Sequence, residues 1–305
     1  MSVKKSSVPI NKVAPRPAVH ARDDLRRQKL AERKRHKSVR VKVFIIVVVF
    51  VLLLGVFAMR HSSLQITEIK VVGTKVTSAE EIKQVVEKKL QGSYFFIFPK
   101  NNFLIYPKEE IRRDIMQTSG YIAYADLKVK NFKTLEINIS ERKAKYIWCG
   151  DTASSSDCYF ADKTGLIFSA APGLSKNVMF VIYSPLPVKP EGTKPFSATN
   201  FARLDGAVSA LPNILNFAGL TDADIDAVRV SNDQDYFFII QDIAGRGSKE
   251  WELRFKAETK LSAISSYLKA LWQSAEFQAE RSSGALDYVD LRFGKKIYYK
   301  FEGLE

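Results

Sequence analysis

The chain has 305 residues, 47 of them Lys or Arg against 33 Asp or Glu, which leaves a net charge of +14. Its only histidines are His20, His36 and His61, so residues 62–305 hold no imidazole, and Ser-His-Asp, Cys-His and His-based zinc chemistry are excluded from that stretch. Two cysteines alone supply too few ligands for a metal centre, and no cofactor is expected.

The charge is concentrated at the start. Residues 1–42 carry fourteen Lys or Arg and three acids (Asp23, Asp24 and Glu32), so +11 of the +14 precedes the first long apolar run. Pro9, Pro15 and Pro17 interrupt the first half of this tail, and residues 22–42 hold few aliphatic side chains, so a disordered basic tail is expected. Attraction to anionic lipid headgroups accounts for the charge. No aromatic residue precedes Phe44 to stack on bases, and no nucleic-acid partner is expected.

Residues 43–59 form an uncharged apolar run between Lys42 and Arg60. As a helix its 17 residues span roughly 25 Å, close to a bilayer's hydrocarbon thickness, and the two flanking cations have stems long enough to reach the headgroups. A transmembrane helix over 43–60 is therefore expected. The basic excess ahead of it predicts a cytoplasmic N-terminus and an exported remainder. A cleaved secretory signal is the alternative, but the leader is long and Phe57-Ala58-Met59-Arg60-His61-Ser62-Ser63 lacks a small-x-small cleavage pattern.

Beyond the run, Ile66, Ile69, Val71 and Val72 predict a strand closed by Gly73. Thr77-Ser78-Ala79-Glu80 fits a capping box with Thr77 as the cap, ahead of Ile82, Val85, Val86 and Leu90 at helical spacing. Asn101 and Asn102 mark a turn. Pro107 then opens a second helix carrying Ile111 and Ile115, ended by Ser119-Gly120. Leu127 and Val129, then Leu135, Ile137 and Ile139, alternate with polar residues as half-buried strands, with residues 131–134 turning between them. Two helices on one face of a small sheet make an α+β arrangement.

This order, with Gly73 after the first strand and Lys130-Asn131-Phe132-Lys133-Thr134-Leu135-Glu136-Ile137-Asn138-Ile139-Ser140-Glu141-Arg142, resembles the POTRA domain of the FtsQ/DivIB bacterial cell-division proteins. The resemblance extends to Tyr159-Phe160-Ala161-Asp162-Lys163-Thr164-Gly165-Leu166-Ile167-Phe168, similar to the Asp-x-x-Gly hairpin of that family's β-rich domain, and to Tyr288-Val289-Asp290-Leu291-Arg292-Phe293 near the end. Ala144 stands where the family often has proline. The implied organisation is a tail over 1–42, a span over 43–60, a POTRA-type domain over 64–147 and a β-rich domain over 148–305.

Cys149 and Cys158 flank a polar spacer that can fold back as a hairpin mouth, so either a disulfide or two reduced thiols is open; an exported compartment permits the bridge. In the second domain, Phe201, Leu204, Val208 and Leu211 predict a helix that Pro212 breaks or kinks. Asp222-Ala223-Asp224-Ile225-Asp226 lacks the glycine of a calcium loop and is expected to cap a short helix. Strand-like runs follow at Val228 and Val230, at residues 236–240, and at Trp251, Leu253 and Phe255. Leu261, Ile264, Leu268, Leu271 and Trp272 then form a helical stripe. Ser266-Tyr267-Leu268-Lys269 and Lys163-Thr164-Gly165 match fragments of penicillin-binding enzymes in reversed order, with no Ser-Asp-Asn between them, and are read as helix surface and turn.

The closing segment carries the sharpest functional clue. Val289, Leu291 and Phe293 are expected on one strand face, with Tyr288, Asp290 and Arg292 on the other, before a Gly294-Lys295 turn and a last strand over 296–301. Four residues follow Phe301, so that strand is expected to be an uncovered edge able to pair with an incoming segment. The resemblance implies that an FtsB/DivIC-like partner docks here, with Arg292 and Phe293 on the matching motif; the expected docking surface is Arg292, Phe293, Gly294, Lys295, Ile297, Tyr298 and Tyr299, and an FtsL-like partner is also expected. The bland alternative is that Arg292 pairs with Asp290 and the tyrosines only pack. The expected function is a non-enzymatic divisome scaffold in the cell membrane at the septum, contacting other divisome components and lipid, which helps control septal peptidoglycan synthesis. An exported wall-modifying enzyme using paired carboxylates is the alternative.

Overall fold

The computed structural model describes residues 19–151, 157–172, 179–231, 234–242 and 249–302. In chain order its elements are α1 (Val19–Met59), β1 (Glu68–Val72), α2 (Ala79–Leu90), β2 (Ser93–Tyr94), β3 (Phe98–Pro99), α3 (Lys108–Thr118), β4 (Ile122–Lys130) and β5 (Thr134–Glu141). There follow β6 (Tyr146–Cys149), β7 (Cys158–Ala161), β8 (Ile167–Ala170), β9 (Val181–Tyr183), α4 (Ala198–Ala218), β10 (Ala223–Val230) and β11 (Asp235–Asp242). The last five are β12 (Lys249–Lys256), α5 (Leu261–Trp272), α6 (Ala275–Ser283), β13 (Leu286–Phe293) and β14 (Lys296–Phe301). The protein is a mixed α+β structure. It divides into two compact units: the described residues up to Ile66 with Gln91–Tyr106, and Thr67–Leu90 with the described residues from Pro107 onward.

In the first unit, the stretch Val39–Met59 of α1 is long and apolar enough to cross a membrane, four residues longer at its start than the charge-free run. The helix begins at Val19, so residues 19–42 are helical where a disordered tail is expected; residues 1–18 lie outside the described residues. The reason is local. After Pro17 the sequence is rich in Ala, Leu, Arg, Lys, Gln and Glu, all strong helix formers, and it runs without a breaker into the apolar segment.

In the second unit, β1 pairs parallel with β5 and β4 antiparallel with it, giving the order β1-β5-β4. Ile82, Val86, Ile111 and Ile115, at helical spacing on α2 and α3, are fully buried, as are Leu127, Leu135 and Ile137 of the sheet. Burying each such side chain contributes about 1.5–3 kcal/mol. The N-cap of α2 is one residue later than expected. Ser78 Oγ accepts from Glu81 N–H at 3.4 Å, because the N–H groups of Lys75, Val76 and Thr77 all turn to the Glu141 carboxylate, at 3.0, 3.1 and 2.8 Å. The next residue, Arg142, donates from Nη1 to Asp162 at 3.1 Å. Glu141 thus fixes the loop before α2 while Arg142 reaches the second sheet. Gly120 lies at the same junction: a Cβ there would stand 1.7 Å from the Phe168 carbonyl oxygen, so only glycine permits this approach.

The second sheet has nine strands in the order β14-β13-β12-β11-β10-β9-β6-β7-β8, with β12/β13, β9/β10 and β6/β9 parallel. It begins at Tyr146, slightly before the expected boundary at 147–148. Its main core joins Trp148, Phe238, Leu253, Phe255, Val289 and Leu291 to Phe201, Leu204 and Leu211 of α4, Ile264 and Leu268 of α5, and Phe277 of α6. Tyr146 Oη and Lys145 Nζ both donate to Asp205, tying α4 to the start of β6.

Two expectations are corrected here. Pro212 lies inside α4 without ending it; Ile214, Leu215 and Ala218 beyond it are buried, and that packing outweighs the lost hydrogen bond until Gly219 caps the helix in the left-handed region. Residues 223–230 form a strand, β10, with no helix at Asp222–Asp226. Their pairing with β11 and β9 decides the conformation, and the bulge between Ile225 and Ala227 absorbs Asp226. The helix α6 had no clear apolar stripe in the sequence beyond Phe277.

Candidate partner-binding edge

The sheet ends at β14, and among the described residues no strand pairs with its outer side. Along β14 the burial alternates. Ile297, Tyr299 and Phe301 pack on the main core, with Phe277 of α6 meeting Tyr299 edge-on at 5.1 Å, whereas Lys296, Tyr298 and Lys300 are exposed. The edge is therefore held from behind and presents two lysines and a tyrosine in front. Edge lysines of this kind discourage indiscriminate strand pairing. Gly294, at φ +72°, makes the two-residue turn that joins β13 to β14, with Lys295 beside it and Phe293 paired to Lys296.

Phe293 departs from the simple alternation. The register shifts between Asp290 and Phe293, and the bulge turns the Phe293 ring away from buried Val289 and Leu291 to the side of Tyr298, 5.1 Å away and edge-on. Phe293 is 57% exposed and Tyr298 47%, so they form an apolar pair at the hairpin end.

Arg292 is placed differently. Its guanidinium forks onto Asp290, with Nη2 2.6 Å from Oδ2, and its Nη1 lies 2.9 Å from Asp235 Oδ2 on β11. Hydrogen bonding to Asp290, then to Asp235, raises its pKa further, so it is a permanent cation between two acids. Asp290 itself is only 3% exposed. The structure thus groups Phe293, Gly294, Lys295 and Tyr298 at the free hairpin end, packs Ile297 and Tyr299 into the core side, and commits Arg292 to internal pairing.

Sequence reasoning missed the row that Arg292 meets through Asp290 and the Phe237 ring. Register partners run Arg229, Phe237, Arg254, Asp290 and Tyr298 across β10 to β14 on the sheet face opposite the main core. Arg229 stacks over Phe237 at 4.0 Å and Arg254 over Tyr288 at 3.9 Å, while Glu252 accepts from both arginines. The available signal was the lone arginine between apolar residues in Val228-Arg229-Val230 and Leu253-Arg254-Phe255. Continued through Tyr183, the same row reaches Cys149 and Cys158, which are register partners joined by a disulfide.

For the paired-carboxylate alternative, one cavity of about 480 Å³ is lined by Asn200, Arg203, Gln234, Asp235, Lys256 and Glu258. Of its two carboxylates, Asp235 already accepts from Arg292. No protein-family model matches the chain, and no curated protein matches it as a relative.

Proposed function

We propose that this chain is a membrane-anchored, non-enzymatic scaffold of the bacterial division machinery, resembling FtsQ/DivIB proteins, that holds FtsB/DivIC-like and FtsL-like partners at the septum. The observation that carries the reading is the supported outer edge of β14, with which no strand among the described residues pairs, and the exposed Phe293–Tyr298 pair beside it. Such an edge offers main-chain hydrogen bonds to an added strand and a small apolar anchor for specificity. The lysines at 296 and 300 favour an acidic incoming segment. A POTRA-type reading of residues 64–147 is supported by the sheet order β1-β5-β4 with α2 and α3, between which the β2–β3 hairpin is inserted in sequence. Anchoring with the basic N-terminus in the cytoplasm is supported by the apolar length of α1 and the basic excess ahead of it. The test is calorimetric titration of an FtsB/DivIC-like fragment into the full chain in lipid nanodiscs. Saturable binding that Phe293→Ala weakens in a chain that keeps its fold supports the scaffold. Wall-degrading turnover abolished by single Asp or Glu substitutions would replace it with the enzyme.

A further inference from the structure

In the first unit, the exit of α1 is tied to the β2–β3 hairpin. Asn102, fully buried, donates from Nδ2 to the Met59 carbonyl at 2.8 Å and accepts the Leu104 N–H at 2.9 Å. Phe103 N–H donates to the Leu64 carbonyl at 3.0 Å, and Arg60 Nη2 to the Phe96 carbonyl at 3.4 Å. These bonds set the hairpin beside the end of the apolar helix.

The tip of that hairpin is unusual in composition. Phe95 and Phe96 have φ of 50° and 60°, in the left-handed region where glycine and asparagine are the ordinary occupants, and they are 84% and 94% exposed. Ile97 and Leu104 extend the exposed apolar surface. Two bulky aromatics thus occupy a strained turn while facing water, an arrangement that a folded soluble surface does not favour.

We propose that the Phe95-Phe96-Ile97 tip is a second membrane contact, an interfacial wedge seated at the headgroup–acyl boundary of the bilayer that α1 crosses. The inference rests on reading Val39–Met59 as the span. Its charge-free part, residues 43–59, covers roughly 25 Å as a helix, close to the thickness of a hydrocarbon core, with Arg40 and Lys42 able to reach the headgroups at one end, so Arg60 stands at the other boundary. The Arg60–Phe96 bond then brings the aromatic tip to the same depth, where aromatic side chains are enriched. Arg60 and Lys100, the latter 5.5 Å over the Tyr94 ring, supply cations for lipid phosphates. A helix free to rotate in the bilayer is thereby fixed in azimuth.

The test uses the full chain in vesicles of phosphatidylcholine and phosphatidylglycerol, with an environment-sensitive fluorophore on Phe96→Cys under non-reducing conditions. A matched chain carries the label at Val51→Cys, within the span. Lipids brominated high on the acyl chain should quench the Phe96→Cys label about two-fold, as expected for 5–10 Å insertion, and deep bromines should quench it less. The Val51→Cys label should respond most to deep bromines. A Phe95→Asn/Phe96→Gly variant labelled at Ile97→Cys suits the left-handed turn better, so it keeps the hairpin and should lose the shallow quenching. A Phe96→Cys label that stays in water, or is shielded without quenching because protein covers it, overturns the wedge while leaving the span intact. A Val51→Cys label unaffected by bromines overturns the span reading and the wedge with it.

Discussion

Arg292 closes a fork on Asp290, its Nε 3.0 and 3.1 Å from the two carboxylate oxygens and its Nη2 2.6 Å from one of them. With Asp290 almost inaccessible, the guanidinium neutralises an acid that would otherwise be buried alone. Arg292→Glu would gather three carboxylates, at 235, 290 and 292, on one sheet face. The expected outcome is a loss of about 3 kcal/mol or more in folding stability, with Arg292→Lys intermediate because an ammonium cannot fork. Urea denaturation of the three chains checks it. A fold unchanged by Arg292→Glu would mean the pairing does not hold the sheet.

Docking is therefore better probed at residues that the fold does not need. Phe293→Ala removes an exposed ring and should change stability by less than about 0.5 kcal/mol, while weakening a partner anchored on the Phe293–Tyr298 pair by roughly 1–3 kcal/mol. Tyr298→Pro should block an added strand, with circular dichroism verifying the fold. Equal calorimetric affinities for wild type, Phe293→Ala and Tyr298→Pro would place the partner elsewhere.

The disulfide between Cys149 and Cys158 joins register partners of β6 and β7, nine residues apart in sequence. Closing a loop of that size stabilises by about 2–3 kcal/mol in the chain-entropy model. A Cys149→Ala/Cys158→Ala chain should melt several degrees lower than the oxidised wild type. Mass spectrometry after alkylation without reductant should find both thiols blocked to the reagent, and two alkylated cysteines would remove the bridge.

The sequence carried local periodicity well. The stripes of α2, α3 and α5 and the alternation of β4 and β5 were legible because each element's burial follows its own period. What decided β10 was pairing with β9 and β11, and acids at 222, 224 and 226 read locally as a helix cap. Pro212 misled for the same reason, since burial beyond it is a tertiary fact. At the edge, the Gly294 turn and the free strand were visible, but the bulge that rotates Phe293 and the acid on β11 that engages Arg292 depend on strands far apart in sequence. Asn102 read only as a turn residue, and its bond to Met59 required the fold.

Glu141 offers a pH test. Burial raises its pKa, but the backbone N–H groups of Thr77, Lys75 and Val76 outweigh this and hold the carboxyl below its ordinary value. A group depressed in the folded state contributes stability that is fully present above the unfolded pKa, about 4.3 for Glu, and is lost as pH falls through the folded value. Glu141→Gln keeps one acceptor oxygen and removes the charge, so it should destabilise by about 1–2 kcal/mol at pH 7 through weakened hydrogen bonds. The gap between wild type and variant should stay constant from neutral pH down to about 5.5 and close below about 4, because the wild-type carboxyl then loses its own advantage. Chemical denaturation of both chains across that range measures the gap directly, and cancels the shared contribution of Asp162, whose carboxyl is likewise lowered despite burial by Thr164, Leu166 and Arg142. A gap that widens toward acid would reverse the sign and show that the three N–H groups do not favour the charged form.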